Sequence, residues 1–173
     1  DHITLPVHRK SIVSLKLIRP ISELIKNYNL VHVRSRLPAR LIYLAGRNLP
    51  QQTRPRLVST VHGRYSINAY SAVMTKGERV IAISENVRDY ILENYPRVPT
   101  ERVQLIHRGV DPAGFPRNYK PSIDWLREWQ QHQPQLSDRK LLALPGRVSR
   151  WKGHETFLRL IANLKQDPQI HGL

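Results

Sequence analysis

Two rhythms of apolar residues alternate along this chain. Short continuous runs occur at "LVHVRS" (30–35), "RLVSTVHG" (56–63), "RVIAIS" (79–84) and "RVQLIH" (102–107). Being continuously apolar rather than alternating, they predict strands buried on both faces. Between them, apolar residues recur every three or four positions, which predicts helices. Residues 11–27 carry Ile12, Leu15, Ile18, Ile21, Leu24 and Ile25 on one stripe, and Pro20 inside it is expected to kink or split the helix. "PARLIYLAGRNL" (38–49) has Pro38 in its first turn. Residues 66–76 form a third helix, with Gly77 as the stop. "ENVRDYILENY" (85–95) follows the capping residue Ser84, with Val87, Tyr90, Ile91 and Asn94 on one face. A further strand is expected over "HITLP" (2–6), ended by Pro6.

Strand–helix alternation with apolar strands is the pattern of an α/β fold, a parallel sheet covered on both faces. Ligands of such sheets bind beyond the carboxyl ends of the strands. The residues just after each strand are therefore the first candidates for chemistry.

The rhythm breaks after residue 107. "HRGVDPAGFPRNYKPS" (107–122) holds three prolines and two glycines and reads as a loop. "IDWLREWQQH" (123–132) is a short helix. "KLLALPGR" (140–147) starts a new strand, and "HETFLRLIANLK" (154–165) a new helix with Phe157, Leu158, Ile161 and Leu164 on one face. The expected division is a first domain over 1–107, a linker with a short helix over 108–139, and the start of a second domain over 140–173. One strand and one helix do not bury a core by themselves. The chain also starts at Asp1 rather than Met, so it reads as an internal fragment.

Charge narrows the partners. There are 28 Lys+Arg against 13 Asp+Glu, a formal net charge of +15. Residues 1–56 hold eleven of the basic side chains and only two acidic ones. Such an excess attracts polyanions: nucleic acid, anionic lipid or phosphorylated small molecules. The absence of cysteine excludes a disulfide framework, thiol catalysis and cysteine-ligated zinc. No apolar run approaches the length of a membrane span.

Four stretches carry candidate chemistry. In "ALPGRVSRWKGHETFLRLI" (143–161), a strand, a loop and a helix start surround Gly146, Arg147, Arg150, Lys152 and Gly153. Loop amides, a guanidinium fork and an ammonium suit a diphosphate. A solvated basic turn fits the pattern equally well, and the phosphate-loop spacing is absent. In "STVHGRYS" (59–66), His62 and Gly63 follow a strand. The histidine can hydrogen-bond a substrate or move a proton, or simply cap the turn. Gly63 permits close approach of a ligand, and Arg64 and Tyr65 follow. In "IHRGVDPAGF" (106–115), Arg108, Gly109 and Asp111 follow a strand; Gly109 suggests a tight turn with positive φ, and Asp111 before Pro112 suits turn initiation. In "VHVRSRLPAR" (31–40), Arg34, Arg36 and Arg40 suit an anionic acceptor or a solubilising rim. Lys16, Arg19 and Lys26, with Arg9 and Lys10 ahead, line a helix that an ordinary surface role explains better than anionic lipid. The histidines show no metal-ligand spacing, and D-x-D is absent.

Three blocks together carry a resemblance: "TVHGRYSINAYSAVMTKGERVIAISENVRDYIL", then "VQLIHRGVDPAGF", then "LPGRVSRWKGHETFLRLI". In order and spacing they resemble the retaining glycosyltransferases of family 4, with the GT-B fold, which often build lipopolysaccharide and other surface glycans. The resemblance implies a partial N-terminal, acceptor-side Rossmann-like domain and the first βα unit of a nucleotide-sugar-binding domain, facing each other across a cleft. It implies a nucleotide-diphospho-sugar as donor substrate, no tightly bound metal or other cofactor, and an anionic glycan or lipid-linked acceptor. Arg147 and Lys152 match the pair that grips the donor diphosphate, beside Gly146. His62, next to Gly63, matches the histidine near the transferred sugar. Arg108 and Gly109 match the segment leading towards the hinge, although Arg108 stands where many members have Asn. Arg34, Arg36, Arg64 and Tyr65 are the acceptor-side candidates. The glycine-rich loop of the first domain is expected before Asp1 and the paired-Glu motif beyond Leu173, so the fragment is expected not to turn over alone. A cytoplasmic place is implied, with peripheral contact at the inner face of the membrane as an option for the basic first third. The rival readings are a basic nucleic-acid-binding module, against which the 7% aromatic content and lack of binding motifs count, and another nucleotide-sugar enzyme such as an epimerase.

Overall fold

The structure is a computed structural model; it describes residues 3–6 and 12–173. The chain divides into two compact units, Asp1–Val110 and Asp111–Leu173.

The first unit is built on four parallel strands in the order β1-β2-β3-β4: β1 Leu30–Val33, β2 Arg56–Val61, β3 Arg79–Ala82 and β4 Val103–Leu105. The α/β fold with a Rossmann-like parallel sheet is the one expected. Register aligns Val33, Ser59, Val80 and Val103 across the sheet, and two residues on, Val61, Ala82 and Leu105. All four strands therefore deliver their following residues to one edge.

Helices α1 (Ile18–Ile25), α2 (Arg36–Arg47), α3 (Ala69–Ala72) and α4 (Glu85–Asn94) connect and cover the strands. The stripe expected over 11–27 divides into a 3-10 helix, Ile12–Leu17, and then α1, with Pro20 in the first turn of α1. A proline there removes an N–H that has no partner within the helix. Arg9 and Lys10 lie outside the described residues. Ile21 and Ile25 pack on Leu41 and Ala45 of α2. The Ser22 hydroxyl donates to the Ala45 carbonyl at 2.9 Å, tying the two helices where small residues let them approach. On the other cluster, Val61, Val80 and Ala82 of the sheet are fully buried against Met74 and Ile91. Ser84 caps α4 by accepting from the Val87 amide at 3.3 Å, as expected, and Val87, Tyr90 and Ile91 are buried.

Three local expectations are corrected. Residues 3–6 form no strand; Leu5 instead packs against the α1–α2 cluster. The helix expected over 66–76 shrinks to α3 and a 3-10 turn, because Asn68 caps it by accepting from the Ser71 amide at 2.9 Å. Gly77 is not a left-handed stop, since Gly153 has the one positive φ among the described glycines. A Cβ on Gly77 would lie 2.7 Å from the Leu57 carbonyl oxygen, so close approach of two backbones requires the glycine.

The second unit contains α5 (Ile123–His132), capped by Ser122, and a βαβ element: β5 (Lys140–Leu142), α6 (His154–Asn163) and β6 (Ile170–Gly172), with β5 and β6 parallel. Strand β6 goes beyond the single strand expected here. Gly172 belongs to the helix–strand contact, where a Cβ would lie 2.6 Å from Cγ1 of Ile161. The expected face of α6 is narrower than its apolar pattern: Phe157, Ile161 and Leu164 are half-buried, but Leu158 is 67% exposed. Two strands offer a strip too narrow to cover a residue on the flank of the stripe. No helix among the described residues is long and apolar enough to cross a membrane.

Candidate functional site

The register of the first sheet places Arg34, His62 and Ile106 one residue beyond β1, β2 and β4. β4 continues outward through a bond from the Ile106 amide to the Ala82 carbonyl, 2.9 Å. Arg108 follows, and its Nη2 lies 2.5 Å from Nδ1 of His62. A guanidinium only donates, so Nδ1 accepts. The histidine then carries its proton on Nε2. Burial, then the charges of Arg108, Arg34 and the neighbouring His32, hold His62 below its ordinary value of 6.5. The ring is thus neutral at neutral pH.

The loop after His62 is braced at both ends of Tyr65. The His62 amide donates to the Tyr65 hydroxyl at 3.3 Å, and the Tyr90 hydroxyl donates to the Tyr65 carbonyl at 2.5 Å. The turn is shaped by side chains, not by glycine freedom. A Cβ on Gly63 would meet nothing within 4 Å, and the same holds for Gly109. Gly109 lacks the expected positive φ. The tight turn comes later, where the Asp111 carboxylate accepts from the Ala113 amide at 3.0 Å.

The expected arginines separate into distinct settings. Arg34 is exposed at the end of β1. Arg36 opens α2, its guanidinium 4.9 Å from the Tyr65 ring centre and 5.4 Å from that of Tyr70. Its Nη1 donates to the buried Ser71 hydroxyl at 3.3 Å, so it is held rather than free. Arg64 lies over Tyr90 at 5.4 Å. Arg40 sits one turn along α2 and lines a different hollow, with Tyr43, Tyr70 and Lys76. Tyr70 and Tyr90 carry no sign of this role in the sequence, because helical spacing does not say which cation lies over a tyrosine ring. His32 carries no such sign either; its Nε2 lies 2.7 Å from the Thr60 hydroxyl.

In the second unit, the loop after β5 presents Gly146, Arg147 and Lys152. The Arg147 and Lys152 side chains are exposed, and the Lys152 ammonium lies 4.2 Å from the Trp151 ring centre. The loop backbone is held from the helix: Nε2 of His154 donates to the Arg147 carbonyl at 2.8 Å. Gly153, with φ +79°, makes the left-handed turn into α6. No group of three or more potential metal-ligating side chains occurs among the described residues.

The parallel α/β sheet of the first unit is of a glycosyltransferase kind. The pattern of Glycosyltransferase Family 4 matches residues 2–113. The chain belongs to this family. It is 27% identical over 120 residues to alpha-maltose-1-phosphate synthase of Mycolicibacterium smegmatis, covering 68% of this chain and 30% of that protein. It is 26% identical over 95 residues to an uncharacterized glycosyltransferase of Methanocaldococcus jannaschii, covering 55% of this chain and 22% of that protein. Among solved structures, a glycosyltransferase from Rickettsia africae superposes with a TM-score of 0.69 at 27% identity, over 99% of this chain and 54% of the other. Anabaena HepE, solved with UDP and glucose, superposes with a TM-score of 0.72 at 18% identity, over 91% of this chain and 42% of the other, a likeness of fold. The chain thus spans about a third or less of the curated relatives it matches.

Proposed function

We propose that this chain serves in retaining transfer of a sugar from a nucleotide-diphospho-sugar to a glycan or lipid-linked acceptor. The family match over residues 2–113 carries this reading. The UDP and glucose held by HepE support a nucleotide-sugar donor. In this reading the first unit is the acceptor side and the second belongs to the donor-binding domain. The acceptor oxygen forms a bond to the anomeric carbon as the carbon–phosphate oxygen bond breaks. The electron pair leaves with the diphosphate, and the acceptor proton goes to the leaving phosphate on the same face. Negative charge therefore grows on the diphosphate, and Arg147 and Lys152 stabilise it as it develops. Gly146 lets the loop backbone approach the phosphates. His62 hydrogen-bonds the transferred sugar, with Gly63, Arg108 and Gly109 beside it. Arg34, Arg36, Arg64 and Tyr65 meet the acceptor, whose anionic character matches the eleven basic residues of the first third. A surface glycan such as lipopolysaccharide, assembled at the inner face of the cytoplasmic membrane, fits that chemistry.

The test is calorimetric titration of the complete protein with UDP-, GDP- and ADP-sugars, followed by proton NMR of the product. Binding of at least one donor and an unchanged anomeric configuration are expected. Failure of every nucleoside diphosphate to bind would overturn the reading.

A further inference from the structure

We propose that Arg108 is a positioning residue for His62: by donating to Nδ1 it fixes the imidazole as the neutral form protonated on Nε2, so that His62 acts as a hydrogen-bond donor and not as a base. The first half stands on geometry alone; the second half rests on the proposed sugar-transfer function.

The two side chains are 46 residues apart in sequence, with Nη2 and Nδ1 at 2.5 Å. A guanidinium keeps its protons at any physiological pH. The Nδ1 lone pair is therefore the acceptor, and it is occupied. Of the two ring nitrogens only Nε2 remains, and it bears the hydrogen. Protonating the ring would set an N–H against a guanidinium N–H and place two cations in contact. The charges that act on the ring all push the same way. Arg108 reaches it from beyond β4, while Arg34 beyond β1 and His32 on β1 act from the other flank. Burial adds to them as the largest cause. The backbone of His62 is held as well, by its amide bond to Tyr65. Arg108 takes part in none of the ion pairs among the described residues. Its guanidinium thus keeps further N–H donors for an anionic oxygen while one of them holds His62.

A ring in this state offers a substrate oxygen one donor and takes no proton from it. Asparagine at position 108 carries no charge, so it would leave the ring free to protonate at higher pH. Imidazolium also donates from Nε2, so what the arginine widens is the pH range in which that donor sits on an uncharged ring.

The experiment is nitrogen-15 NMR of the histidine rings in the complete protein, for wild type, Arg108→Ala and Arg108→Lys, across the histidine titration range. In the wild type, His62 is expected neutral with Nδ1 unprotonated, titrating below the ordinary histidine range. Arg108→Ala raises the midpoint, and Arg108→Lys, which keeps a charged donor, restores it. An unchanged midpoint in Arg108→Ala, or a protonated Nδ1 in the neutral wild-type ring, overturns the proposal. The kinetic arm is the pH profile of kcat/KM with the donor identified by titration. The acid limb of the Arg108→Ala profile is expected to move to higher pH with the His62 midpoint, on top of a pH-independent loss from the guanidinium's remaining donors. A deficit independent of pH, with the NMR midpoint unmoved, means a merely structural arginine. If the NMR behaves as expected but no sugar is transferred, the positioning role stands and the functional reading falls.

Discussion

Arg108, three residues beyond β4, donates to Nδ1 of His62, one residue beyond β2, at 2.5 Å. β3 lies between their two strands, so the contact bridges the carboxyl end of the sheet. It joins two loops at the edge where parallel sheets bind their ligands.

The state of His62 sets a sign for pH. Its folded pKa lies below the ordinary 6.5, so as pH falls the unfolded chain takes up the proton first. The neutral ring's contribution to stability is fully present above 6.5 and is lost as pH falls through the window below it. His62→Gln is expected to flatten the acid side of a melting-temperature profile below pH 6.5. An identical slope in wild type and variant would contradict this.

Glycines separate into required and permissive positions. Gly77→Ala drives a Cβ against the Leu57 carbonyl oxygen, 2.7 Å away, and is expected to cost about 1–3 kcal/mol in denaturant unfolding. Gly63→Ala enters open space and leaves the unfolding midpoint in place.

Tyr90→Phe removes the donor to the Tyr65 carbonyl and should destabilise the first unit by about 1 kcal/mol. It should also loosen the loop that holds the His62 amide. Amide hydrogen exchange of His62 is the check: faster exchange is expected in the variant than in wild type.

Arg147→Ala and Lys152→Ala test the basic loop. Both side chains are exposed, so melting temperatures should not move. If they stabilise a leaving diphosphate, each should lower kcat by about 10²–10³. Steady-state kinetics with the donor found by titration measures this, and a change confined to KM would assign them to ground-state binding alone.

Much of this was legible from residue spacing. The continuous apolar runs located β1 to β4, and the Ser84 cap and buried face of α4 followed from local pattern. β6 was not legible: three residues, "IHG", carry no periodicity. The face of α6 was half-legible, since its pattern counts Leu158 while the two-stranded sheet leaves that residue outside. In the sequence Arg36 is one of three like arginines. Its hold between Tyr65, Tyr70 and Ser71 draws on another part of the chain.

By itself, the amino-acid sequence determined the elements, the parallel α/β class, and the few strand-end positions where chemistry belongs. These are local properties, written in apolar period, caps and turn residues. Tertiary structure alone decided that Arg108 meets His62, that Gly77 is needed for contact rather than for its φ, and that Arg40 parts from Arg34. Strands apolar on both faces tolerate a shift of register without exposing a polar face, so their pattern does not choose the alignment. Packing of the helices chooses it, and with it which loops arrive side by side.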